Sequence, residues 1–182
     1  MSIQNKQPAL KVPDTCLKEA YALLCRVTPF RFDCGKLCNS ACCRDGLIGK
    51  KTGMTLFFGE ESLLTAVRGF DILGDERKLL VCSGRCDRST RPLACRMFPF
   101  YPYLREENGV TRVDVVRDPR AFGMCPAAYL GLKPEYEFAR SVRKAARWLL
   151  HHDENARIIR ETNALFDELE NIRELMKDGT QK

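Results

Sequence analysis

An α+β fold is predicted, with a cysteine-rich centre of short strands and helices followed by C-terminal helices. Two features point to it. Apolar stripes at helical spacing occupy both ends of the chain, whereas the middle alternates short β-prone runs with Gly, Asn and Pro at turn spacing. No internal repeat or low-complexity segment interrupts this order. A hydrophobic content of 45% in 182 residues is enough for one ordinary core.

The first helix is predicted over 14–27. Asp14 or Thr15 can cap it, Leu17, Ala20, Tyr21, Leu24 and Val27 form its apolar stripe, and Pro29 stops it. The next stretch, 33–43, would stack Cys34, Cys38 and Cys42 on one face if helical, because steps of four residues advance only about 40° around the axis. Residues 54–58 read as a strand and 62–67 as a short helix. Phe70–Leu73 and 78–82 make a hairpin candidate around Gly74 and Asp75. A second candidate runs from 98–104 through Asn108-Gly109 to 110–116, with Pro99 and Pro102 placing its first strand at a sheet edge.

From Pro134 the pattern turns helical: Ala139, Val142, Ala146, Leu149 and Leu150 share a face. Another helix follows Asp153, where Ile158, Thr162, Leu165, Leu169, Ile172 and Met176 recur at steps of four and three. Such a seam can pair helices between subunits, but it is shorter than a firm coiled coil requires, so packing on the chain's own core is expected. The domain reading is a cysteine-cluster unit at 14–133 with a C-terminal helical extension, 134–177, packed on it.

The N-terminal segment lacks the apolar run of a secretory signal, and no uncharged stretch is long enough to span a bilayer. A soluble cytoplasmic protein is expected, with no membrane partner. In a reducing compartment the ten cysteines point to metal binding or redox chemistry rather than a disulfide framework. The net charge of +6 does not by itself call for an acidic partner. Two four-thiolate sites, each of net charge about −2 with zinc or an oxidised four-iron cluster, would reduce it to about +2. No zinc finger, helix-turn-helix or aromatic-rich basic strand is present, so nucleic acid is not an expected partner. A protein partner and the oligomeric state are left open.

Eight cysteines fall in two groups: Cys34, Cys38, Cys42 and Cys43, then Cys82, Cys86, Cys95 and Cys125. That is enough for two four-thiolate sites holding zinc or an iron–sulfur cluster, and composition does not choose between these cofactors. On a helix Cys43 would be rotated about 100° from Cys42, so the adjacent pair suits two metals, or a metal and a bridging role, better than one tetrahedral ion. The absence of any CxxC argues against a zinc ribbon or a thioredoxin-like site. Arg85, Arg88, Arg91 and Arg96 are interspersed with the second group. Guanidinium groups near sulfur favour the thiolate, which makes Arg91 and Arg96 the candidates for flanking the cofactor. Cys16 and Cys25, nine residues apart on the first helix, are expected to be packing or partly exposed thiols.

Other chemistry is weaker. There is no GxG for a dinucleotide or methyl-donor loop, and 46–52 lacks the first glycine of a phosphate loop. His151 and His152 sit where two helices meet, as turn residues facing solvent, and supply no base for a cysteine nucleophile. Glu60 is either an oxygen donor near the metal or, more commonly for such a position, a helix N-terminal acid. Arg140, Arg143, Lys144 and Arg147 form a basic helical face, solvated by default.

The run Arg91, Pro92, Cys95, Arg96, Phe98 and Pro99, with Cys125 beyond it, resembles the RPxxCRxFP element and last cysteine of a bacterial and archaeal family of cysteine-cluster zinc- or iron-chelating domains. The early element of that family is CxxCxxCC; here it is CxxxCxxxCC. The likeness covers about 33–126 and implies a metal-chelating domain. Flagellin lysine methylases carry a similar cluster, so it also allows a part in methyl transfer, though no complete catalytic constellation is present here. The reading is a cysteine-cluster metal-binding protein with a structural or metal-handling role. Its alternative is an iron–sulfur-dependent redox or methyl-transfer enzyme, or the accessory subunit of one.

Overall fold

The computed structural model describes residues 15–32, 34–43, 53–82 and 86–179. Helix α1, Thr15–Leu24, buries Leu17, Ala20 and Leu24 of the expected stripe together with Cys16, and ends three residues before Val27. The continuous helix considered for 33–43 does not form. Helix α2, Cys34–Leu37, ends at once, because Asn39 turns left-handed at φ 51° and the Ser40 N–H bonds back to the Gly35 carbonyl at 2.8 Å. This six-to-one bond with a left-handed Asn is a Schellman stop, which Asn tolerates better than most residues. Ser40 is also left-handed, and a 3-10 turn, Ala41–Cys43, follows. The three-cysteine face of an uninterrupted helix is thereby lost.

Strand β1, Gly53–Thr55, leads to helix α3, Glu61–Leu64. The first hairpin is present as β2, Phe70–Leu73, and β3, Leu79–Cys82. These strands make an antiparallel sheet of order β1-β3-β2, with Ile72 opposite Leu80. Leu56, Leu64 and Leu80 close a small apolar cluster on it. Helix α4, Leu93–Met97, carries Cys95 and Arg96. The second hairpin joins β4, Phe100–Glu107, to β5, Val110–Arg117. Its Asn108 and Gly109 both take positive φ, 52° and 74°, as a hairpin turn that follows strand twist requires. Helix α5, Pro126–Tyr129, follows Cys125 directly.

Helices α6, Tyr136–Leu149, and α7, Asp153–Gly179, complete the fold. Phe138, Val142, Ala145 and Leu149 of α6 share one buried cluster with Leu17 and Leu24 of α1, Met97 of α4, Phe100 of β4, and Ile159 and Phe166 of α7. The main core therefore draws on both ends of the chain. Asn163 of α7 clamps the edge strand: its side chain accepts from the Leu104 N–H at 2.8 Å and donates to the Pro102 carbonyl at 2.9 Å. From Leu165 onward the expected packing of α7 on its own core weakens: Phe166 is still buried, but Leu165, Ile172 and Leu175 stand 40%, 54% and 72% exposed. No helix among the described residues is long and apolar enough to cross a membrane.

Candidate metal centre

One end of the main core opens into a cavity of about 700 Å³. Three stretches of chain wall it: the segment after α1 through the 3-10 turn, the α4 region, and the start of α5. Cys38, Cys42, Cys95 and Cys125 all line it. Cys125 is buried, Cys38 and Cys95 half-buried, and Cys42 exposed. Cys38 and Cys42 reach the same cavity without a shared helix, because the Schellman stop folds the chain back between them. The side chains of Cys34 and Cys43 lie outside the described part of the structure. Cys82 ends β3 against the small Leu56–Leu64–Leu80 cluster, and Cys86 is half-buried. Neither is among the residues lining the cavity.

Both arginines singled out from the sequence, Arg91 and Arg96, line the cavity, as do Arg88, Arg31 and Lys36. Arg96 is 7% exposed. Its Nε donates to the Arg91 carbonyl and its Nη2 to the Ser89 carbonyl, each at 2.7 Å, so it ties the approach loop to α4. Its guanidinium lies 4.7 Å from the Tyr21 ring centre. Burial lowers its pKa, and the neighbouring Arg88 cation acts in the same direction. Arg88 donates to the Val27 carbonyl, and Arg31 pairs with Glu135 at 2.9 Å. Among the described residues no Asp or Glu lines the cavity, so the charged side chains on its wall are all cations.

Glu60 is neither an oxygen donor on this cavity nor the cap of its own helix. It stands at the N-cap position of α3 with no side-chain cap bond, and its carboxylate turns into the core, 0% exposed. There it accepts from Phe57 N–H at 2.9 Å, Leu93 N–H at 2.7 Å and the Tyr21 hydroxyl at 2.6 Å. The helix start it serves is that of α4, two residues before Cys95. Burial holds its carboxyl above the usual glutamate range against those three donors and Arg96.

Compared with known proteins, the chain matches no family model, no curated protein sequence and no solved structure. Geometry within the chain is therefore what bears on function. Among the described residues no three His, Cys, Asp or Glu side chains are gathered closely enough to hold one ion. Among the described residues, Cys38, Cys42, Cys95 and Cys125 share this cavity without such a gathering.

His151 is exposed and lies beside Trp148, ring centres 5.7 Å apart, while His152 is half-buried and stacks on Phe58 at 4.7 Å. Neither lines the cavity. On α6, Arg140, Lys144 and Arg147 are exposed and Arg143 half-buried. Sequence reasoning missed three contributors. Phe30 and Phe32 stack at 5.1 Å and wall the cavity; Cys25 lies within electrostatic reach of Arg96; Tyr21 links α1 to Glu60. The PFRF run at 29–32 was the available signal for the first; the other two carried none, being long-range contacts.

Proposed function

We propose that this chain is a cysteine-cluster metal-binding protein of the reducing cytoplasm, holding zinc or an iron–sulfur centre for a structural or metal-handling role. The observation that carries the reading is the sharing of one cavity by Cys38 and Cys42 from the first group and Cys95 and Cys125 from the second. Four thiols from distant parts of the chain are the donor chemistry of both cofactors. The donor set suits such a group, and the cations around it offset the net negative charge of a tetrathiolate site. Cys82 and Cys86, outside this cavity, are the remaining described members of the eight-thiol set. On this reading RPxxCRxFP marks membership of the zinc- or iron-chelating cysteine-cluster family.

A second reading, an iron–sulfur-dependent redox or methyl-transfer enzyme or its accessory subunit, is favoured by the cavity volume. About 700 Å³ falls in the range of small-molecule pockets, well beyond what one ion needs.

Anaerobic purification followed by elemental analysis and a visible spectrum tests both. Zinc without colour supports the first reading; iron with sulfide and a brown chromophore keeps the enzyme reading alive. Folded protein that is free of both metals and takes up neither on reconstitution overturns them together.

A further inference from the structure

Helix α7 carries two different apolar stripes. One faces inward: Ala156, Ile159 and Phe166 are buried in the chain's own body, with the buried Asn155 and Asn163 bonded to the Phe58 and Leu104 N–H groups. The other runs beside it through Leu165, Leu169, Ile172 and Met176, at the four-three-four steps of a heptad seam. Leu169 is half-buried, while Leu165, Ile172 and Met176 are 40%, 54% and 70% exposed. A shallow groove of about 480 Å³ extends this stripe onto Pro119 and Phe122.

The charges beside the seam say what covers it. With Leu165 and Ile172 at heptad position d and Leu169 and Met176 at a, Glu168 falls at g and Arg173 at e of the following heptad. In a parallel pair of helices, g of one heptad faces e of the next on the partner, so Glu168 of each copy meets Arg173 of the other. Arg173 lies at the edge of the groove, its guanidinium 3.9 Å from the Phe122 ring centre and 3.4 Å from Glu170 of its own helix, with its side chain 41% exposed; in the dimer it shares that guanidinium between Glu170 and the partner's Glu168. An antiparallel pair sets g against g and e against e. Those positions hold Glu168 and Leu175, and Phe166 and Arg173, which give no pair of opposite charges.

We propose that the outer face of α7, from Leu165 to Met176, is a homodimer interface that pairs in parallel with the same face of a second copy of this chain. Leu169 at a and Ile172 at d would permit larger bundles in isolated helices. Here Phe166 at e is buried in the chain's own body, so the body covers that end of the e flank and leaves space for one partner helix. The acidic surroundings, Asp167, Glu168, Glu170 and Glu174, disfavour an anionic lipid surface as the occupant. The paired segment spans under two heptads, so the dimer is concentration-dependent rather than obligate.

Sedimentation velocity of the full-length protein over a concentration series, in reductant to exclude intermolecular disulfides, tests the pairing. A concentration-dependent monomer–dimer shift is expected. Ile172→Glu, at an exposed position, raises the dissociation constant about tenfold or more while leaving the thermal melt of the monomer unchanged. Glu168→Lys weakens the dimer by placing Lys against Arg, and Glu168→Lys with Arg173→Glu restores it. A protein that stays monomeric throughout, or a dimer indifferent to Ile172→Glu, overturns the interface. A charge-swapped double variant no tighter than Glu168→Lys alone overturns the parallel register.

Discussion

The Tyr21 hydroxyl donates to Glu60 Oε1 at 2.6 Å, and that same oxygen takes the Leu93 N–H at 2.7 Å. One carboxyl thus fastens α1 to the start of the helix that carries Cys95. Glu60→Ala strands three buried donors, Tyr21 Oη and the Phe57 and Leu93 N–H groups. Each such loss typically costs about 1–3 kcal/mol, so a total of about 3 kcal/mol or more is expected in urea denaturation. Tyr21→Phe removes one donor and leaves the two backbone bonds in place, and should cost about 1 kcal/mol. Equal losses in the two variants would show that the backbone bonds contribute nothing.

The same carboxyl gives stability a pH dependence of unusual sign. Burial raises Glu60 above its ordinary 4.5, so between the ordinary and the raised value the folded chain binds a proton that the unfolded chain has released. By linkage, stability falls with rising pH in that window. The Glu60 contribution is complete below about pH 4.5 and is lost as pH climbs through the raised value. Tyr21, raised chiefly by burial and then by Glu60, acts in the same sense from its ordinary 10.0 upward. Urea midpoints from pH 4 to 8 should show the first decline in the wild type and not in Glu60→Gln, whatever that variant's overall loss.

Gly74 closes the first hairpin at φ +86°, where a Cβ would lie 2.4 Å from the Arg77 carbonyl oxygen. Neither the dihedral nor the backbone contact can relax cheaply. Gly74→Ala should therefore destabilise by about 1–3 kcal/mol, measured by thermal or urea unfolding. Gly109→Ala, also at positive φ but with nothing within 4 Å, isolates the dihedral cost and should lose less.

The α+β architecture was legible because its signals are local. The Asn108-Gly109 turn and the α6 stripe from Ala139 to Leu149 each depend on neighbours within a few residues, whereas the end of α1 at Leu24, five residues before Pro29, carried no such signal. For 33–43 a helix was only one possibility: the cysteine spacing fits one, but Asn39 and Ser40 accept left-handed backbone, and no periodicity reports that. Glu60 stands at a helix N-terminus as expected, but its partners Tyr21 and Leu93, 39 and 33 residues away, carried no local signal. The outward seam of α7 was visible as a heptad. Which stripe faces the body depended on where Phe100, Tyr101 and Phe122 would sit.

The division of the cysteines is open to a direct experiment. If Cys38, Cys42, Cys95 and Cys125 hold one ion from the walls of their cavity, Cys95→Ser and Cys125→Ser should remove the same metal and leave any bound by the second group in place. Replacing Cys82 should do the reverse. Cys16→Ser, buried on α1 at 9% exposure and absent from the cavity walls, should lose no metal. The lost ligation would also loosen the 34–43 segment, since Cys-ligated sites contribute on the order of 10 kcal/mol to folding. Limited proteolysis of Cys95→Ser should therefore cut in that segment sooner than in the wild type. Metal counts by elemental analysis decide the grouping. If Cys95→Ser and Cys16→Ser retain equal metal, the shared cavity is not a binding site; if Cys95→Ser and Cys82→Ser lose the same ions in the same proportion, all the thiols serve a single centre.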